Sequence, residues 1–298
     1  MKQSRWYIAM MLCMTLVCHS CDKRFTTDFT DEIVVEGWID AGGFPVVILT
    51  REFPVRFKDE RISLDKLSDF VVKWAKVTVD DGENSVVLTG GKDNRYFPGY
   101  VYTTSKMRGE AGKSYTLTVE SDDKVLTSVT TIPLYAPVVD SMVCKRMIDG
   151  KDLCSVTYYV SNIPDRHEYY KLSFMEGKDA AQYLSSFAGV IDDALSDTLI
   201  PMPILRDIKD NDKENRDRYF HEDSVVSVKV ATIDSVSYGF WLRYDNMSSL
   251  RSMFQTSSEV QDLPTNINGG IGYWCGYNPY VYTFAVKPGV YPGNRQDQ

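Results

Sequence analysis

The chain has 298 residues, 12% of them aromatic with 19 Tyr, and a formal charge of −8. Its carboxylates are spread along the sequence and would repel phosphate backbones, which excludes nucleic acid as a partner. The length suffices for roughly two domains, each with its own core.

The first predicted element is a leader. Residues 1–21 begin with Lys2 and Arg5, run apolar from Trp6 to Val17 and set Ser20 directly before Cys21. A signal peptidase needs a small side chain before its cut, and a lipoprotein needs a cysteine just after it to carry a diacylglycerol. A signal peptide over 1–20, lipidation at Cys21 and a tether over 21–31 are therefore expected, which hold an exported chain to a membrane by its lipid. The lipobox departs from its usual form at Cys18, where Leu is common. The apolar run of about a dozen residues falls short of the roughly 20 that a spanning helix needs.

Strands follow. EIVVEGWID and FPVVILTREF flank an Ala-Gly-Gly turn and read as an adjacent pair. Val77 and Val79 alternate with Thr78 and Asp80 before a turn at Asp81 and Gly82. In GKSYTLTVESDDKVLTSVTTIP, Tyr115, Leu117 and Val119 share one face while Thr116 and Thr118 take the other. Short strands with turns every 8 to 12 residues are the pattern of an immunoglobulin-like β-sandwich, expected here over 32–135.

PLYAP, Pro133 to Pro137, lacks two amide donors and suits an extended connection, so a second β-rich domain is placed over 136–298. It opens with CKRMIDGKDLC, a hairpin. A three-residue loop there would set Cys144 opposite Cys154 and permit a cross-strand disulfide; a two-residue loop would miss that register and leave two buried thiols. Cys275 has no evident partner. AAQYLSSFAGVIDDAL reads as a helix, DIKDNDKENRDR as a solvated loop and SVVSVKVATI as a strand. Asp234 or Ser235 can cap a helix near 235–255, along which Tyr238, Trp241, Leu242, Met247, Leu250 and Phe254 recur at helical spacing. NINGGIGYWCGYNPYVYTFAV is a glycine-rich loop leading into a last strand. The class expected is mainly β: an N-terminal immunoglobulin-like β-sandwich and a second β-rich domain with one or two helices.

Chemistry-bearing motifs are sparse. His167 and His221 stand in different contexts, no GxSxG elbow places a nucleophile, and both read as surface histidines. The carboxylates from Asp207 to Asp223 lack the spacing and glycine of a calcium loop, so no metal is expected. Asp192 with Asp193, and Asp122 with Asp123, are adjacent residues whose side chains point apart, and they suit turns better than acid–base catalysis. Near the C terminus, Tyr273, Trp274 and Tyr277 offer a ligand or partner surface, since flat rings stack on sugars and anchor interfaces. Against that stands the reading that alternate aromatics, such as Tyr280 and Tyr282, face the core of the final strand.

EIVVEGWID followed by FPVVILT, GKSYTLTVES with TTIP, a helix after an ATID strand, and NINGGIGYWCGY near the terminus together resemble a family. It is the Bacteroidetes outer-membrane lipoprotein family known as domain of unknown function 4249. The resemblance spans essentially the whole chain after the leader. It implies an immunoglobulin-like first domain, a β-rich second one, and a setting beside TonB-dependent transporters of the SusC type; it implies no catalytic residue, and no cofactor is expected. The function expected is a non-enzymatic outer-membrane lipoprotein. It would serve a TonB-dependent nutrient uptake complex, binding a nutrient or a SusC-like transporter, with a SusD-like lipoprotein as a further partner. A surface hydrolase of glycans or peptides, and an adhesin or structural envelope module, are the other readings.

Overall fold

The computed structural model describes residues 32–51, 68–148, 152–177, 182–195, 198–206, 218–253 and 264–294. The leader, Cys21 and the tether lie outside the described residues, as does most of the charged stretch from Asp207. In chain order the elements are β1 (Ile33–Asp40), β2 (Val46–Arg51), β3 (Lys76–Asp80), β4 (Ser85–Val87), β5 (Thr89–Lys92), β6 (Tyr100–Thr103), β7 (Ser114–Ser121), β8 (Lys124–Thr131) and β9 (Val139–Arg146). They continue with β10 (Leu153–Ser161), β11 (Tyr169–Glu176), β12 (Leu184–Asp192), β13 (Leu199–Ile204), β14 (Phe220–His221), β15 (Val225–Ile233), the helix α1 (Ser235–Met253), β16 (Ile271–Ala285) and β17 (Gly289–Pro292). The fold is mainly β, and α1 is the sole α-helix among the described residues.

Three sheets result. The largest runs β12-β11-β15-β16-β1-β2-β6-β5; a second runs β13-β10-β9-β17 with β14 on β10; the third runs β4-β3-β7-β8. Both smaller sheets pack on one face of the large sheet, because its strands β1, β11 and β16 send alternate residues to opposite faces. Ile33, Val35 and Ile39 of β1 turn inward to meet Val77, Tyr115 and Leu117. Leu172 of β11 and Val228 of β15 turn inward to meet Met142, Val156 and Tyr158. Two sandwich-like cores thus lie side by side under one sheet.

Pro133–Pro137 stands between these two sets of core residues, but the chain crosses back. The 15-residue β16 is antiparallel to β15 along its second half and parallel to β1 along its first, and it carries Trp274 into the core of the first half. Glycines make the parallel pairing possible. Gly37 lies opposite Trp274, where a Cβ would stand 2.8 Å from the indole; Gly272 has φ +112°, and a Cβ there would lie 1.9 Å from the Val35 carbonyl oxygen.

Two local expectations change. The segment read as a helix after Lys178 is instead the strand β12, paired with β11, followed by one 3-10 turn at Asp193–Leu195. Its Ser, Phe, Val and Ile side chains fit a pleated surface, and pairing at the sheet margin outweighs the helix preference of its alanines. In the cysteine hairpin, Cys154 pairs with Arg146 and Cys144 with Val156, so the turn is longer than three residues and the cysteines are diagonal neighbours. Both are buried free thiols, and burial pushes Cys144 up to about 12. The expected helix forms over Ser235–Met253, with the Ser237 amide donating to Asp234 Oδ1 at 2.7 Å, while Phe254 lies outside the described residues. Its Leu242 is exposed, while Tyr238 and Trp241 pack against the sheet.

Candidate functional site

The other face of the large sheet holds a cleft of about 590 Å³, within the range of small-ligand sites. Its floor is built by the positions that alternate with the core residues. They are Glu36, Trp38 and Asp40 of β1, Tyr273 and Tyr277 of β16, Lys229 and Ala231 of β15, and Lys171 and Ser173 of β11. Phe240, Trp241 and Tyr244 of α1 form one wall. Phe44, the loop bearing Asp93, Arg95 and Tyr96, and the segment from Gln182 to Ser185 complete the rim. The Phe97 amide donates to Gln182 Oε1 at 2.9 Å, which ties the last two segments together.

Most of the charges are matched. The Lys229 ammonium, in a side chain 8% exposed, donates to both oxygens of Asp40 at 2.6 and 2.7 Å and sits 4.7 Å above the Tyr277 ring. Arg95 holds Asp93 at 2.7 Å and keeps that carboxyl below its usual range.

Two charges are placed differently. Lys171 is 4% exposed and lies 4.5 Å from the centroid of Trp241; its hydrogen bond goes to the Ser185 hydroxyl. Burial lowers its pKa to about 8, against a weaker upward pull from Asp245 on α1. Glu36 accepts a 2.9 Å hydrogen bond from the Tyr273 hydroxyl, and burial raises its pKa above the usual carboxylate value. The Trp241 indole N–H donates to the Tyr277 hydroxyl at 3.0 Å, and burial lifts both Tyr273 and Tyr277 well above an ordinary phenol.

The C-terminal aromatics divide by parity. Tyr273 and Tyr277 line the cleft, but Trp274 is fully buried on the opposite face, its indole N–H donating to the Tyr115 carbonyl at 3.0 Å. Consecutive strand residues point to opposite faces, so the three could not form one surface. Cys275 shares the parity of Tyr273 and is buried beneath α1. Sequence reasoning missed Glu36, Lys171 and Lys229. The signal was present, because each interrupts an apolar strand: EIVVEGWID, EYYKLSF and SVVSVKVATI.

The other candidates stand apart from the cleft. Exposed His167 pairs with Asp192 at 2.8 Å, which raises its pKa, and Asp193 lies 3.8 Å away. These three residues could gather donor atoms around an ion, yet Asp192 also accepts the Ala194 amide and Asp193 the Glu168 amide, as turn carboxylates do. Asp122 lies at the turn after β7 and pairs with Arg51, and His221 is exposed on β14.

The family model described as domain of unknown function (DUF4249) matches residues 22–283. No curated protein matches the sequence.

Proposed function

The chain belongs to the family described as domain of unknown function DUF4249, and on that premise we propose that it is a lipid-anchored outer-membrane binding protein. In this reading Cys21 carries the lipid. The protein serves a TonB-dependent uptake complex beside a SusC-like transporter and a SusD-like lipoprotein, and its cleft holds the cargo. The observation that carries the proposal is the cleft. A sheet that already buries two cores on one face spends its other face on aromatic rings and buried charges, an arrangement suited to holding a small molecule.

Affinity purification from detergent-solubilised membranes tests the partner, and the expected result is co-purification of a SusC-like barrel. A chain that always migrates alone would overturn the accessory role. Cys21→Ala should release the protein from the membrane fraction, and unchanged fractionation would remove the lipid anchor from the proposal.

A further inference from the structure

Where β12 ends beside the loop that leads into β11, three donor side chains converge. Asp192 closes β12 opposite Tyr169, Asp193 opens the turn that follows, and His167 stands two residues ahead of Tyr169. One donor atom from each lies within 4.8 Å of the other two. His167 Nε2 is 2.8 Å from Asp192 Oδ1 and 3.8 Å from Asp193 Oδ1.

The buried member sets this group apart from an ordinary surface ion pair. The Asp193 side chain is 4% exposed; its Oδ2 accepts the Glu168 amide at 2.8 Å, while its own amide donates to the Glu168 carbonyl at 3.2 Å. That exchange fixes the carboxylate. Its Oδ1 faces the imidazole and carries no hydrogen bond among the described residues, since 3.8 Å is beyond hydrogen-bond reach. A carboxylate withdrawn from water calls for a donor or a cation there. Asp192 is held in a similar way, because the Ala194 amide donates at 2.9 Å to the same Oδ1 that meets His167. The turn hydrogen bonds thus engage one oxygen of each carboxylate and orient the other, as the groups behind metal ligands do.

We propose that His167, Asp192 and Asp193 bind a divalent ion of the zinc type, through Nε2 and one oxygen of each carboxylate. Metal–ligand bonds of about 2.0–2.2 Å set two ligands of a tetrahedral site roughly 3.3–3.6 Å apart. The observed 2.8 and 3.8 Å bracket that separation. Calcium and magnesium take oxygen ligands, so an imidazole among the donors selects a transition ion. Because the His167 side chain is half exposed, the fourth position falls to water. The ion would clasp β12, the end strand of the large sheet, to the loop before β11.

Isothermal titration of the full mature protein, freed of any histidine tag, with zinc chloride tests the site, and calcium chloride is the comparison. One zinc per chain should bind, with calcium weaker by about tenfold or more. His167→Ala removes a half-exposed ring and should weaken zinc by about tenfold or more, and Asp193→Asn should do the same. Should the buried Asp193→Asn fail to fold, His167→Ala decides the matter alone, beside His221→Ala, an exposed control that should bind as the wild type does. Zinc should also raise the thermal midpoint of the wild type and leave that of His167→Ala unmoved. No zinc bound at millimolar concentration, equal zinc affinity in His167→Ala, or calcium bound as tightly as zinc would overturn the proposal. None of the three residues lines the cleft, so failure here leaves the uptake role standing, and loss of that role leaves this site standing.

Discussion

The inner and outer faces of the large sheet are written by alternate residues of the same strands, yet they do opposite physical work. On β16, Trp274 turns inward into a dry core, while Tyr273 and Tyr277 turn outward to frame a cleft. On β15, Val228 and Val230 turn inward while Lys229 turns outward to Asp40. The inner face gains stability from apolar area removed from water; the outer face holds charge and phenol groups in places that raise their energy. The difference teaches that a strand can be specialised on each side independently, so substitutions one residue apart should have effects of different kinds.

The sharpest way to break this contrast is Trp274→Ala, which should cost about 3–5 kcal/mol in chemical denaturation by opening a cavity in the core of the first half. A loss below about 1 kcal/mol would mean the indole is not a core residue. On the outer face, Asp40→Asn leaves the Lys229 ammonium without its counter-ion. Loss of a buried partner costs 3–5 kcal/mol, and because the Asp40 side chain is 26% exposed we expect about 2–4 kcal/mol.

A third effect is visible only as pH is varied. Lys171 has a pKa of about 8 in the folded protein, against 10.5 for an ordinary lysine. Between those values the unfolded chain keeps a proton that the folded chain has lost, so this residue makes stability rise with pH through that window and contributes no slope below it. The groups that face the ammonium, the Asp245 carboxylate, the neutral Cys275 thiol and the Ser185 hydroxyl, remain in place when Lys171 becomes Met. The wild type should therefore gain on the order of 1–3 kcal/mol relative to Lys171→Met between pH 7.5 and 10.5, measured by paired denaturation curves. A constant difference across that range would show that the lysine is not held in a raised-energy state.

The smallest effect serves as the control. Lys76 and Glu120 pair at 2.6 Å on the third sheet with both side chains about half exposed, and Lys76→Ala should change stability by less than about 1 kcal/mol. A larger loss would blur the distinction between buried and exposed charge on which the contrast depends.

Much of the fold was legible because period-two alternation is strong in β1, β3, β7 and β15, and because Asp234 gives α1 a clear start. Local patterning was weaker between Lys178 and Asp197, where alanines suggest a helix and only pairing with β11 shows a strand. Hairpin register was also beyond reach, since it depends on turn length, and that length decides whether Cys144 faces Cys154 or Val156. Of the site, Tyr273 and Tyr277 were found for their ring chemistry, and Trp274 was joined to them because parity was not applied. The remainder could not be assembled from the sequence: Lys171 and Lys229 lie on the paired strands β11 and β15, Glu36 on β1 joins them only through β16, and pairing between distant strands leaves no local trace.

The route of β16 governs when the molecule can be finished. Because β1 lies parallel to a strand that begins at Ile271, the amino-terminal half lacks one side of its interior until the chain has been delivered through β16. Contacts of such long sequence separation close slowly, and the early strands must stay unassembled in the meantime. Truncation upstream of Ile271 therefore leaves the amino-terminal core without Trp274, so a late segment is the one that locks the first.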